Sequence, residues 1–143
     1  MISAVLDTNV IASAMLIRDG VEDRVLRAWF AGQYRLVLSA PILEEVQRVL
    51  QYPKIRARRW MSDEETAQVL ERLVESSLLV EGKQRLRICR DPADDKFLVA
   101  ALEGRTDYIV TGDADLVDLG RYQDIEIVTP RRFLQVLHQR PIG

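Results

Sequence analysis

Apolar residues come along this chain in two patterns, short solid runs and helical stripes, and the two take turns. Ile2 to Leu6, Leu36 to Leu38, Tyr108 to Val110 and Ile125 to Val128 are brief aliphatic runs closed by turn-prone residues, the pattern of strands buried on both faces. Between them the apolar positions recur every three or four residues. This happens over Val10 to Ile17, over Val21 to Ala31 (Val25, Leu26, Trp29, Phe30), over Ile42 to Leu50, after Ser62 (Val69, Leu70, Leu73, Val74) and after Thr129-Pro130 (Phe133, Leu134, Leu137). Strands alternating with helices predict an α/β fold, in which helices cover both faces of a central parallel sheet of about five strands. Leu78 to Val80 and Leu86 to Ile88, on either side of Gly82-Lys83, are two further strand candidates between which the pattern does not choose.

The punctuation agrees with the periodicity. Ser39 and the run Ser62-Asp63-Glu64-Glu65 read as helix caps, Tyr52-Pro53 as a break and Gly32 as a stop. Asp91-Pro92 reads as an N-cap followed by proline at the first helical position, opening a helix over Phe97 to Leu102 that Gly104 closes. Without repeats or low-complexity tracts, 143 residues of which 48% are apolar predict one domain, residues 1–143.

Composition adds limits. Cys89 is the single cysteine, so no internal disulfide is available and a reduced, cytoplasmic setting is expected. Met1 to Leu6 is too short and uncharged for a secretion signal, and no apolar run approaches the length of a membrane span, so no membrane partner is expected. The net charge of -2 runs against the basic footprint of a nucleic-acid binder. Acids gathered round a divalent metal, however, lower the formal charge without removing basic surface elsewhere. Lys54, Arg56, Arg58 and Arg59, beside Trp60, form one basic segment, and Arg85, Arg87 and Arg90 lie in another. Such runs are commonly solvated faces, but they also suit a phosphate backbone.

The acids carry the candidate chemistry. Asp7 follows the first strand and Asp113 follows the Tyr108 strand, so both stand where an open α/β sheet binds ligands, outside the carboxyl ends of its strands. On the Ile42 helix Glu45 flanks the apolar stripe, whereas Glu44 lies opposite and faces water. In a helix capped by Asp91, Asp94 projects within about 35° of the apolar stripe and Asp95 at roughly 65°, which favours Asp94 over Asp95 as the inward acid and leaves Asp91 as a cap. Carboxylates converging with no lysine among them repel each other unless a cation offsets the charge. Oxygen-only ligands fit Mg²⁺ or Mn²⁺, while a lone His138 and a lone cysteine argue against zinc. The chain has no P-loop, no GxGxxG turn and no GxSxG elbow, which disfavours nucleotide-driven and serine-nucleophile mechanisms.

The blocks VLDTNV, ILEEVQRVL, DPADDKFLVAAL and DYIVTGDADL, followed by IVTPRRFLQVL, resemble in order the acidic motifs of PIN-domain ribonucleases, and particularly the VapC-type toxin group. The resemblance spans nearly the whole chain. It implies Asp7, Glu45, Asp94 and Asp113 as catalytic, metal-binding acids, Asp115 as an auxiliary metal-binding acid, and Thr8, Asn9 and Thr111 as polar groups behind them. At the third acid the motif accepts Asp94 or Asp95. It further implies a PIN-like three-layer α/β/α fold, Mg²⁺ or Mn²⁺, an RNA substrate, a homodimer and a small antitoxin partner. Haloacid-dehalogenase-like phosphatases also place an aspartate after strand one, but Asn9 stands where their second, proton-transferring aspartate belongs. A PIN-like scaffold that binds RNA or protein without cleaving it is the remaining alternative.

Overall fold

The computed structural model describes residues Met1 to Gln139; residues 140–143 of the expected domain lie outside the described residues. Strand β1 (Ser3–Leu6) lies inside a sheet of six strands ordered β3-β2-β1-β4-β6-β5. Its parallel neighbours are β2 (Arg35–Ser39) and β4 (Tyr108–Val110), in registers that set Val5 beside Val37 on one side and beside Ile109 on the other. β3 (Leu78–Val80) pairs parallel with β2, and β6 (Ile125–Val128) pairs parallel with β4. The chain thus builds one half of the sheet outward from β1, then crosses back to build the other from β4. The switch between the halves falls at the β1/β4 edge, the position at which such sheets bind ligands.

Around the sheet pack α1 (Thr8–Ala14), α2 (Val21–Phe30), α3 (Ala40–Leu50), α4 (Pro53–Arg58), α5 (Asp63–Ser76), α6 (Asp95–Glu103), α7 (Ala114–Leu119) and α8 (Pro130–Gln139). The arrangement is the expected three-layer α/β/α. Its core is continuous: Val5, Leu6, Val37, Leu38, Ile109 and Val110 are fully buried in the sheet, and Ile11, Ile42, Leu73, Leu98 and Phe133 are fully buried from the helices. α6 packs directly on β1, β2 and β4. Its end approaches β2 so closely that a Cβ added at Gly104 would stand 2.5 Å from Val37 Cγ1, which accounts for glycine there.

Four expectations are corrected. The sheet has six strands, not about five. The extra one, β5 (Arg121–Tyr122), is a two-residue antiparallel partner of β6, too short to leave a periodic signal. α1 stops at Ala14 rather than Ile17 because Trp60 takes carbonyls at its end: the indole Nε1 donates to Ala14 O (3.0 Å) and the Trp60 N–H to Met15 O (3.0 Å). Leu86 to Ile88 is not a strand, because the Ile88 and Cys89 amides donate to the Asp95 carboxylate (3.1 and 2.8 Å) instead of to a ladder. The helix opened by Asp91 begins as a 3₁₀ turn, Pro92–Asp94, and becomes α-helical only at Asp95.

A candidate metal centre at the sheet edge

β1 and β4 run in register, so one residue past each strand brings Asp7 and Thr111 together, although they are 104 positions apart in sequence. The ladder continues through both: Asp7 N donates to Val110 O (3.0 Å) and Thr111 N to Val128 O (2.9 Å). The Asp7 carboxylate is buried and fixed at both oxygens. Oδ1 accepts from the Asn9 N–H (3.0 Å) as the cap of α1, and Oδ2 accepts from the Thr111 hydroxyl (2.7 Å). Thr111 Oγ1 in turn accepts from Asp113 N (3.0 Å), and Asp113 Oδ1 caps α7 by accepting from Asp115 N (2.9 Å). Asp7 and Asp113 are therefore helix caps as well as site residues, and the two readings do not compete.

The 3₁₀ turn brings in the third acid. Asp94 shares a hydrogen bond with Asp113 and feels the charges of Asp113, Asp91 and Asp7; burial, followed by these like charges, pushes its carboxyl up to about 6. Asp7 is likewise raised, by burial above all and further by Glu45 and Asp113, against the lowering pull of its Thr111 and Asn9 hydrogen bonds. Of the two alternatives for the inward acid, Asp94 is the one that joins Asp7 and Asp113. Asp95 turns away to hold Ile88 and Cys89; burial raises its carboxyl, but these hydrogen bonds outweigh it and hold Asp95 below the usual range. Asp91 caps the 3₁₀ turn through Ala93 N (3.0 Å).

Glu45 reaches the site from α3 while Glu44 is exposed, as the helical face requires. It does not meet the other acids through a free carboxylate. Thr8 Oγ1 donates to Glu45 Oε1, and Lys96 Nζ lies 2.7 Å from Glu45 Oε2. Burial would raise Glu45, but Lys96, Thr8 and Arg48 together hold it below its ordinary value. The expectation of a cluster without lysine is thus corrected. Lys96 sits in the first turn of α6, inside the most acidic block of the sequence, but its approach to Glu45 depends on the packing of α3 against α6, which no local pattern reveals.

The remaining expected residues lie further out. Asp115 is 43% exposed and pairs with Arg90 Nη1 at 3.3 Å. The Asn9 side chain is exposed; its backbone N–H is what holds Asp7. In the basic segment, Arg59 is only 8% exposed and pairs with Asp63, which Arg56 also approaches at 4.0 Å, whereas Lys54 and Arg58 face solvent.

The donor set suits a hard divalent cation. It is all oxygen, and Asp7 and Asp94 are raised by burial first and by neighbouring like charges second, both of which a bound cation would offset. Among the described residues no three Asp, Glu, His or Cys side chains form a ready-made metal-binding group. Glu45 is tied to Lys96 and Asp115 to Arg90.

A family model described as PIN domain matches residues 3–115. An uncharacterized protein of Methanocaldococcus jannaschii is 29% identical over 143 residues, an alignment that takes in 94% of this chain and 90% of that protein. Among solved structures, a chain in the crystal structure of VapBC2 from Rickettsia felis bound to a DNA fragment from their promoter superposes with a TM-score of 0.57 at 14% identity, covering 90% of this chain and 98% of that one. At that identity the likeness is one of fold.

Proposed function

This chain belongs to the PIN-domain family of nucleases, and on that premise we propose that it is a metal-dependent endoribonuclease hydrolysing RNA phosphodiester bonds, the toxin of a toxin–antitoxin module. One observation carries the catalytic reading: Asp7, Asp94 and Asp113, from three separate elements, converge where the two halves of the sheet part, and burial, with like charges adding to it, raises two of them. PIN-domain nucleases generally use divalent metal ions, and Asp7, Asp94 and Asp113, with Glu45 from the side, would hold Mg²⁺ or Mn²⁺ here. Such an ion, when bound, supplies a water of lowered pKa and positive charge against the charge developing on the phosphate.

The chain's own residues define the rest of the chemistry. Thr111 and the Asn9 N–H fix both Asp7 oxygens, so the carboxylate keeps one orientation without a ligand to hold it. Cys89, at the border of the site, is pushed up to about 12 by burial and by its contact with Asp95, which makes it a poor nucleophile and accords with hydrolysis by water. The toxin role, a small antitoxin partner and a homodimer follow from the sequence resemblance, while a cytoplasmic setting follows from the lone Cys89 and a single working domain over residues 1–143 from length and composition. Among the described residues no helix is long and apolar enough to cross a membrane, which accords with that setting.

The test is cleavage of a structured RNA panel by the parent, Asp7→Asn, Glu45→Gln and Glu44→Gln with Mg²⁺ or Mn²⁺, against an EDTA control. Loss of one directly held carboxylate should lower the rate by about 100-fold or more, while Glu44→Gln stays within about twofold of the parent. Cleavage that survives Asp7→Asn or EDTA would refute the mechanism.

A further inference from the structure

The segment from Glu81 to Arg90 contains no helix or strand, yet its backbone is held at both ends. Gly82, at φ +74, turns the chain after β3. Glu103, at the end of α6, then accepts from the N–H groups of Gly82 (2.8 Å) and Gln84 (3.0 Å). Asp95, at the start of the same helix, accepts from Ile88 and Cys89 (3.1 and 2.8 Å). From Asp95 to Glu103, α6 rises about 12 Å. The four steps from Gln84 to Ile88 cover that span only if the chain is nearly extended, at about 3.3–3.6 Å per residue. At its middle this strap alternates its side chains, Leu86 packing against the core while Arg85 and Arg87 on either side are exposed; Gln84 and Ile88 are exposed as well.

Neither Arg85 nor Arg87 has an ion pair or hydrogen bond with any described residue. Arg90 is 84% exposed and pairs with Asp115 at 3.3 Å. In α4, Arg56 and Arg59 share Asp63, whereas Lys54 and Arg58 face solvent as the strap's arginines do; what sets the strap apart is where it leads. The strap ends at the acid cluster. Ile88 and Arg90 form one wall of an open pocket of about 470 Å³, Leu116 and Leu119 of α7 form another, and the acids Asp94, Asp115 and Asp118 also line it.

We propose that this strap is the track for single-stranded RNA, with Arg85, Arg87 and Arg90 against successive phosphates and the following base seated in the pocket beside Asp94. The inference rests on the nuclease reading and names the surface that brings substrate to it. Arg85 and Arg87 project from the same side, roughly 7 Å apart along an extended chain, comparable to the separation of neighbouring phosphates in an extended strand. A single line of cations leading to an open pocket that has Ile88, Leu116 and Leu119 in its lining suits one strand with an unstacked base better than a broad duplex face.

The test measures binding of a fluorescent single-stranded oligoribonucleotide across a salt series in Mg²⁺, using Asp113→Asn protein to suppress cleavage. Adding Arg85→Ala and Arg87→Ala should weaken binding at least tenfold and reduce the slope of log affinity against log salt by about 1.4, or roughly 0.7 per phosphate contact. Lys54→Ala with Arg58→Ala should change affinity less than twofold. Unchanged binding without Arg85 and Arg87, an equal loss without Lys54 and Arg58, or tighter binding of duplex DNA of the same length overturns the strap assignment. If the parent still cleaves RNA in any of those cases, the proposed function stands and only the strap falls. If the parent neither cleaves nor binds RNA, both fall together.

Discussion

Lys96 Nζ reaches Glu45 Oε2 at 2.7 Å with both side chains about one-fifth exposed, and it also donates to Ala93 O. This places a built-in cation beside a carboxylate that a metal would otherwise claim. Lys96→Met should leave Glu45 without its partner in the metal-free protein, at a cost of roughly 1–3 kcal/mol. It should also release Glu45 towards the other acids, so Mg²⁺ should raise the melting temperature more in the variant than in the parent. Thermal scans of both proteins with and without Mg²⁺ check this, and an equal rise in the two would mean that Glu45 takes no part in holding the ion. At this scale the sequence was only partly legible. Asp7, Asp113 and the inward face of Glu45 follow from strand ends and helical angles. The angle argument selects Asp94, although it assumed a regular helix from Asp91 where the chain forms a 3₁₀ turn. Lys96 was out of reach, since one helix's side chain meeting another's is a property of packing.

Most of the elements were readable because their apolar periods are regular and their caps chemically explicit; the capping box of Ser62 and Glu65 forms with both of its hydrogen bonds. Leu86 to Ile88, within the strap, was one of two strand candidates that the pattern left open, and the sheet takes the other, Leu78–Val80. In the strap, Leu86 and its flanking polar residues alternate as a strand's do, and only the destination of the amides distinguishes the two. Two acids of α6 supply that destination, so the strap's order depends on them. Asp95→Ala should leave the Ile88 and Cys89 amides without acceptors, destabilise the protein by about 1–3 kcal/mol and speed hydrogen exchange across 82–90. Asp94→Ala, on the neighbouring residue, should leave exchange there unchanged. Peptide-level exchange mass spectrometry separates the two; matching profiles would mean that Asp95 does not anchor the strap.

For the molecule as a whole, the acid cluster sets a pH dependence. Asp94 is raised from 3.8 to about 6, and Asp7 is raised with it, so the folded metal-free protein holds these protons more tightly than the unfolded chain does. The stability from that difference is present below about pH 4 and is lost as pH rises through about 6. The metal-free parent should therefore lose melting temperature between pH 4 and pH 7 relative to Asp94→Asn, whose neutral amide has no proton to lose. Saturating Mg²⁺ should restore much of the difference at pH 7. Parallel curves for the two proteins without metal would show that Asp94 is not raised. The α/β class, with helices on both faces of a parallel sheet, was readable from alternating patterns; the strand order was not, since it is set by packing between distant segments, nor was β5, because two residues carry no period.

The hydrogen bond from Thr111 to Asp7 joins positions 104 apart, and the order in which a ribosome delivers them is fixed. A growing chain displays Asp7 and Glu45 long before Asp94, Thr111 and Asp113 have been synthesised. Until β4 has emerged and paired with β1, the first acid has neither its fixed orientation nor its companions. A nuclease built in this way is born inert beside the RNA that encodes it, and its site forms only once the segment carrying β4 and Asp113 has followed β1 out of the ribosome.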